Sequence, residues 1–157
     1  MSKMKRKAFT MVELVFVIVV IGILAAIAIP KLAVTRGDAE IVKAKNTVAA
    51  VRNSIATKRQ KQILSGQVQT GITALSAQTG YNQPIFDAFN NDTSDPVLMY
   101  SLTSCKDASA QACWYTDDKV NYTYKMPTSG SVEFNLTNNS RFDCKDPSLA
   151  NCKLLTQ

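Results

Sequence analysis

The 157-residue sequence contains no histidine. Its absence removes the commonest general base and metal ligand, and with them any Ser-His-Asp or Cys-His constellation. Cysteine is missing from the first hundred residues, and all four cysteines (Cys105, Cys113, Cys144 and Cys152) lie in the final third. Proline is absent between Pro30 and Pro84, so nothing in that stretch forces a helix to stop. Clustered carboxylates are also lacking, so no acid–base pair is legible and no catalytic residue is assigned. The chain carries 18 basic and 12 acidic residues, but Lys3, Lys5, Arg6 and Lys7 all precede Phe9. Fourteen basic residues against 12 acidic ones remain beyond that point. Most of the excess is therefore a topogenic signal that keeps the N-terminus cytoplasmic. DNA is a partner that this charge distribution does not support.

What the sequence does have is a long apolar run from Leu14 to Ile29, preceded by Phe9-Thr10-Met11-Val12-Glu13. From Phe9 to Ile29 a helix would span about 31 Å at ~1.5 Å per residue, enough to cross a bilayer core. Glu13 sits near the start of that span, where an ionised carboxylate costs roughly 2.5 kcal/mol or more and usually marks function. Gly22 and the Ala25-Ala26 pair give small surfaces where another helix can approach closely. Pro30 removes one helical hydrogen bond and is expected to kink or break a continuing helix. A cleavable secretory signal would explain the basic leader and Ala26-Ile27-Ala28. It does not explain Glu13, or why helical patterning resumes after Pro30. A plain membrane anchor also leaves Glu13 without a purpose.

The segments Ala8-Phe9-Thr10-Met11-Val12-Glu13-Leu14 and Ile21-Gly22-Ile23-Leu24-Ala25-Ala26-Ile27-Ala28-Ile29-Pro30 resemble the type IV prepilin family, which includes the pseudopilins of type II secretion and the pilins of DNA uptake. The match covers about residues 5–32, with leader, cut site, acidic residue, glycine and proline in register. The resemblance implies cleavage between Ala8 and Phe9 by an inner-membrane prepilin peptidase. The same enzyme would methylate the new Phe9 amine from S-adenosylmethionine. Glu13 then becomes the fifth residue of the mature chain, where the family keeps a glutamate that meets the N-terminal amine of a neighbouring subunit. Two groups costly alone in hydrocarbon become tolerable as a pair, so assembly relieves the penalty. Ala8 departs from the family's usual glycine before the cut, which bears on the efficiency of processing.

Beyond Pro30, Ile41, Ala44, Val48, Val51 and Ile55 recur at spacings of three and four, a helical stripe suited to covering a sheet. Helix is expected to about Gln62, stopping before Gly66, with Gly37 and Pro30 as its weak points. Lys58, Arg59 and Lys61 complement the dipole at the helix end and form too short a cluster to argue for a phosphate contact. Residues 67–95 read as an irregular connection with room for one short helix. Strands are expected over Val97–Leu102, Cys113–Thr116, Val120–Met126 and Ser131–Leu136, the last two joined as a hairpin by Pro127-Thr128-Ser129-Gly130. Antiparallel sheet against a long helix gives an α+β, pilin-like fold.

Cys105 to Cys113 and Cys144 to Cys152 each read C-K-D-x-S-x-x-x-C. The matching spacing favours the two local disulfides, Cys105–Cys113 and Cys144–Cys152, while leaving the two crossed connectivities open. Zinc sites prefer cysteines two to four residues apart, so no metal is assigned. The resemblance adds that many pilins staple their C-terminal region with a disulfide, and that major secretion pseudopilins often carry a calcium loop. Asp92, Asp95, Asp117, Asp118 and Asn121 match no EF-hand spacing and read as solvated turns. Sequons begin at Asn91, Asn121, Asn135 and Asn138. Only Asn135 has an acidic residue two places before it, and its expected strand position argues against modification.

The resulting organisation is a leader over residues 1–8, a membrane and filament-core half-helix over 9–30, an amphipathic half-helix over 31–62, and a disulfide-stapled domain over 63–157. The implied role is structural, without catalysis or cofactor. The chain would be a subunit of an inner-membrane-assembled filament of type II secretion or DNA uptake, with an extended surface pilus as the alternative. Its implied partners are other copies and pilin-like subunits in a helical filament, the prepilin peptidase, the inner-membrane assembly platform and membrane lipid. The implied location is a single-pass inner-membrane protein with a periplasmic C-terminal domain, then a filament in the periplasm or at the cell surface. A membrane-tethered periplasmic enzyme or binding protein is the rival of a different class.

Overall fold

The structure, a computed structural model, describes residues 9–67, 70–137 and 141–157. Helix α1 runs Met11–Leu64. Its helical assignment includes Pro30 and Gly37, so of the kink or break expected at the proline the break does not occur. A proline inside a helix removes one donor, and the backbone bonds on either side outweigh that single loss. The chain divides into two compact units, one ending at Arg36 and the other spanning Gly37–Gln157.

In the second unit, Ala44, Val48, Val51 and Ile55 of α1 are buried, as their spacing requires, and Ile41 packs beside them. They meet a four-stranded antiparallel sheet in the order β3 (Cys113–Tyr115), β4 (Asn121–Lys125), β5 (Ser131–Leu136) and β6 (Phe142–Cys144). Alternation sends Tyr122, Tyr124, Val132, Phe134 and Leu136 inward from β4 and β5. Register sets Tyr122 opposite Phe134 and Leu136 opposite Phe142. The core is strongly aromatic. Phe134 and Phe142 stack at 5.0 Å, and Phe86 stacks on Tyr122 at the same separation.

A small ribbon pairs β1 (Pro84–Ile85) with β2 (Leu102–Thr103). The expected strand over Val97–Leu102 is therefore confined to its last residue. Val97 is buried, whereas Met99 and Tyr100 are exposed, so the segment bends instead of pairing. No helix occurs among the described residues of 67–95. The chain ends in a short helix, α2 (Ala150–Thr156), which buries Cys152 and Leu155. Gly37 lies where a side chain would come 3.9 Å from Pro127 of the β4–β5 turn.

Two tyrosine hydroxyls tie a loop and helix α1 to the sheet. Tyr122 accepts from the Leu75 amide (3.0 Å) and donates to the Lys119 carbonyl (2.9 Å). Tyr124 donates to the Glu40 carbonyl on α1 (3.1 Å). Burial raises both hydroxyls above the ordinary value of 10.0, and the nearby Glu40 charge helps push Tyr124 up to about 12. Above pH 10 the unfolded chain loses these protons first, so it binds fewer protons than the folded one. Stability is expected to be intact below pH 10 and to fall as pH climbs from 10 towards 12, measurable by denaturant titration at pH 8 and pH 11. Tyr122→Phe is expected to reduce that pH dependence. At neutral pH it should cost on the order of 1–3 kcal/mol, because it strands the buried Leu75 amide.

Candidate functional site

The start of α1 is built by Thr10 and Glu13. The Glu13 amide donates to Thr10 Oγ1 (3.2 Å), and the Thr10 amide donates back to Glu13 Oε2 (3.5 Å). This reciprocal pair is a capping box that satisfies two otherwise orphaned amides. The Leu14 amide then bonds the Thr10 carbonyl at 3.1 Å. Thr10 as helix cap was missed at the sequence level, although its signal, Thr-x-x-Glu before an apolar run, is plain in the chain. Glu13 thus has a local role in addition to its carboxylate charge.

From Phe9 through Ile29 every large apolar side chain is exposed, and Met11–Ile29 has a mean hydropathy of 3.1. This is the one described helix long and apolar enough to cross a membrane. An apolar surface of this extent is far beyond the patches of a few hundred Å² that soluble monomers expose, so it calls for lipid or other protein around it. Gly22 has nothing within 4 Å of where a side chain would begin, so its small size serves no contact among the described residues. Ala8 lies outside the described residues, as does Asn138 of the last sequon, while Pro30 lies within the helical run of α1.

The cysteines belong to the second unit. Cys105 is bonded to Cys113 and Cys144 to Cys152. The two C-K-D-x-S segments share one local device. Asp107 Oδ1 accepts from the Ser109 amide (2.9 Å) and hydroxyl (2.6 Å), and Asp146 Oδ1 accepts from the Ser148 amide (3.0 Å) and hydroxyl (2.5 Å). Those serine hydroxyls and amides hold both carboxyls below the usual carboxylate range, as Ser94 does for Asp92. The acidic turns are therefore occupied by their own chain. Asp118 accepts from the Val120 and Asn121 amides and from the Asn121 side chain. Asn135 Nδ2 donates to Asn121 Oδ1 at 2.7 Å across the β4–β5 pair, which engages the amide that a glycan would need.

The basic cluster at the end of α1 does not act as one group. Lys58 pairs with Asp95 and lies over the Phe89 ring, whereas Arg59 lines a cleft beside β6. The N-terminal residues and the cysteines thus fall in separate units.

Residues 3–29 match the family model described as the prokaryotic N-terminal methylation motif. The chain is 45% identical over 62 residues to the type IV narrow pilus major component PilA5 of Thermus thermophilus, covering 38% of this chain and 53% of that protein. It is 28% identical over 85 residues to type II secretion system core protein G of Pseudomonas aeruginosa, covering 54% of this chain and 60% of that protein. The chain thus spans between half and two thirds of the length of these curated relatives. No solved structure matches it. The chain thus carries a prokaryotic N-terminal methylation motif, and over part of its length it is similar to a type IV pilus component and to a type II secretion core protein.

Proposed function

We propose that this protein is a structural subunit of a filament assembled from the inner membrane, in a type II secretion or DNA-uptake system. The observation that carries the reading is the exposed apolar run of Met11–Ile29 with a single carboxylate, Glu13, at its start. Such a surface is stable in lipid, and equally stable among parallel copies of itself. Glu13 distinguishes the two settings: in lipid it stands alone, whereas among copies it meets the amine created at Phe9. In this reading prepilin peptidase cuts between Ala8 and Phe9 and methylates Phe9. The subunit then passes from a single-pass inner-membrane form, with its C-terminal domain in the periplasm, into the filament through the assembly platform. Gly22 supplies a site of close helix approach, Pro30 a point of helix compliance, and the disulfides hold the exported domain. An extended surface pilus is the second reading, favoured by the 45% identity over 62 residues to a pilus component.

Glu13→Ala and Glu13→Gln together test the proposal. Gln retains a capping box with Thr10 and lacks the charge. Both variants are expected to insert in the membrane and be cleaved normally, checked by intact mass. Both are expected to be lost from filaments, at least tenfold, in sheared surface and periplasmic fractions. Wild-type incorporation of both variants would sink the reading. In the wild type, the fraction that holds the filament separates secretion or uptake from a surface pilus.

A further inference from the structure

We propose that the cleft between α1 and the edge strand β6 is a phosphate-binding site. The cleft has a volume of about 580 Å³, within the usual range for ligand sites, and is lined by Arg52, Arg59, Arg141 and Asp143 over a floor that includes Ile55 and Phe142. It lies wholly within residues 37–157 and does not depend on the filament reading.

The choice of residue type points to recognition. Between Gly37 and Gln157 the sequence has nine lysines and three arginines, and all three arginines line this cleft. None of the nine lysines does. A charged rim needed only for solubility would draw on lysine as the rest of the domain does. Arginine differs from lysine in its planar fork of donors, which matches the oxygens of phosphate or carboxylate two at a time.

The geometry pre-orients two of the forks. Arg52 and Arg59 are seven residues apart on α1, two turns along one face. Arg52 Nε donates to the Phe142 carbonyl at 2.9 Å and its Nη2 to Asp143 Oδ1 at 3.1 Å. Arg141 Nε meets the other Asp143 oxygen at 3.0 Å. One carboxylate therefore orients two guanidinium groups, and these contacts use two of the five donors of Arg52 and one of those of Arg141. The buried Ile55 and Phe142 thin the water beneath the cations, which strengthens their pull on an anion.

Charge selects among anions. Three guanidinium groups against one carboxylate leave the lining two positive charges in excess. A single carboxylate would balance only half of that. A phosphate monoester carries about −1.5 to −2 at pH 7, and two successive phosphodiesters of a nucleic-acid strand carry −2. Both supply the same oxygens, and the experiment separates them.

The full chain in nonionic detergent is titrated with inorganic phosphate by calorimetry, and with a fluorescein-labelled single-stranded oligodeoxynucleotide by anisotropy. Arg141→Gln is expected to weaken the bound probe about tenfold, the size of one lost charge-assisted contact. Arg59→Lys/Arg141→Lys keeps the net charge and is expected to weaken binding about fivefold through loss of the forks. Lys153→Gln, a charge removed elsewhere on the surface, is expected to change nothing beyond twofold. The basic leader is common to all forms and drops out of the comparison. If Arg141→Gln weakens the oligonucleotide by the larger factor, the site is assigned to a nucleic-acid strand, and if it weakens inorganic phosphate by the larger factor, to a free phosphate. The proposal is overturned if neither probe binds, or if Lys153→Gln weakens binding as much as Arg141→Gln. Should Arg141→Gln unfold, Arg59→Lys carries the test alone, since it leaves the pairings of Asp143 with Arg52 and Arg141 in place.

Discussion

Phe142→Ala is expected to lower the unfolding free energy by about 3–5 kcal/mol, the usual cost of deleting a buried aromatic ring. Phe142 is 1% exposed and its ring lies within 5.0 to 6.3 Å of the Phe134, Tyr122, Phe86 and Trp114 rings. No neighbour is free to fill the gap, because each ring is held by others. Phe86 also meets Trp114 edge-on at 5.3 Å, and Trp114 lies 5.1 Å from Tyr124. Phe142 further anchors the three-residue β6, whose carbonyl at this position accepts from Arg52. Against a typical total stability of about 5–15 kcal/mol, the loss removes roughly a fifth or more. Trp114, the sole tryptophan, reports on the same cluster, so its fluorescence during guanidinium unfolding follows the change. Phe142→Leu keeps most of the volume and should cost less than half as much. A loss below about 1.5 kcal/mol for the alanine variant would show that the core collapses around the site.

Removing the Cys144–Cys152 bond, as Cys144→Ala/Cys152→Ala, is expected to cost about 2–3 kcal/mol, the chain-entropy value for so short a loop. Its effect should be concentrated at the C-terminus. Helix α2 has seven residues, follows Leu149 at a cap position without a side-chain hydrogen bond, and is far below the length at which a helix persists alone in water. It is held by Cys152 and Leu155, both buried. Loss of the bond leaves Leu155 as its main anchor, so amide exchange of Lys153–Gln157 should accelerate by at least tenfold while the middle of α1 stays protected. The same substitution at Cys105 and Cys113 should cost a similar amount and act on another region, because the Cys105 amide bonds the Trp114 carbonyl at 2.8 Å beside β3. The two losses should add to within a few tenths of a kcal/mol if the loops are independent. Unchanged guanidinium midpoints in both double variants would contradict this account.

The parts of the molecule that were legible in the sequence are those where one periodic signal governs a long segment. The stripe from Ile41 to Ile55 announced its packed face because five positions recur at spacings of three and four, and β4 and β5 were placed by their β-prone runs and the turn between them. Strand β6 was not legible. It has three residues, follows the polar run Asn138-Asn139-Ser140-Arg141, and carries Asp143 at its centre. Its pairing is decided by β5 and by Arg52 of α1, ninety positions away in sequence. Helix α2 was missed because its cap has no side-chain signal and its order comes from a disulfide and one leucine. Val97–Leu102 misled in the opposite direction, since its β-prone residues serve as a buried Val97 and an exposed Met99-Tyr100 tip. The arginine cleft was invisible for a similar reason. Arg59 reads as one of a cluster with Lys58 and Lys61, and only the fold separates it from them and brings Arg141 to its side.

The Thr10–Glu13 pair also bears on the order of events in the life of the chain. In the proposed processing the cut falls at Ala8–Phe9, one residue ahead of Thr10. Both partners of the cap lie on the retained side. The side chains that cap the helix are therefore kept in the proposed product. In that proposal, removing the leader would replace the peptide bond before Phe9 with a cation, ahead of the Glu13 carboxylate that the Thr10 cap already orients.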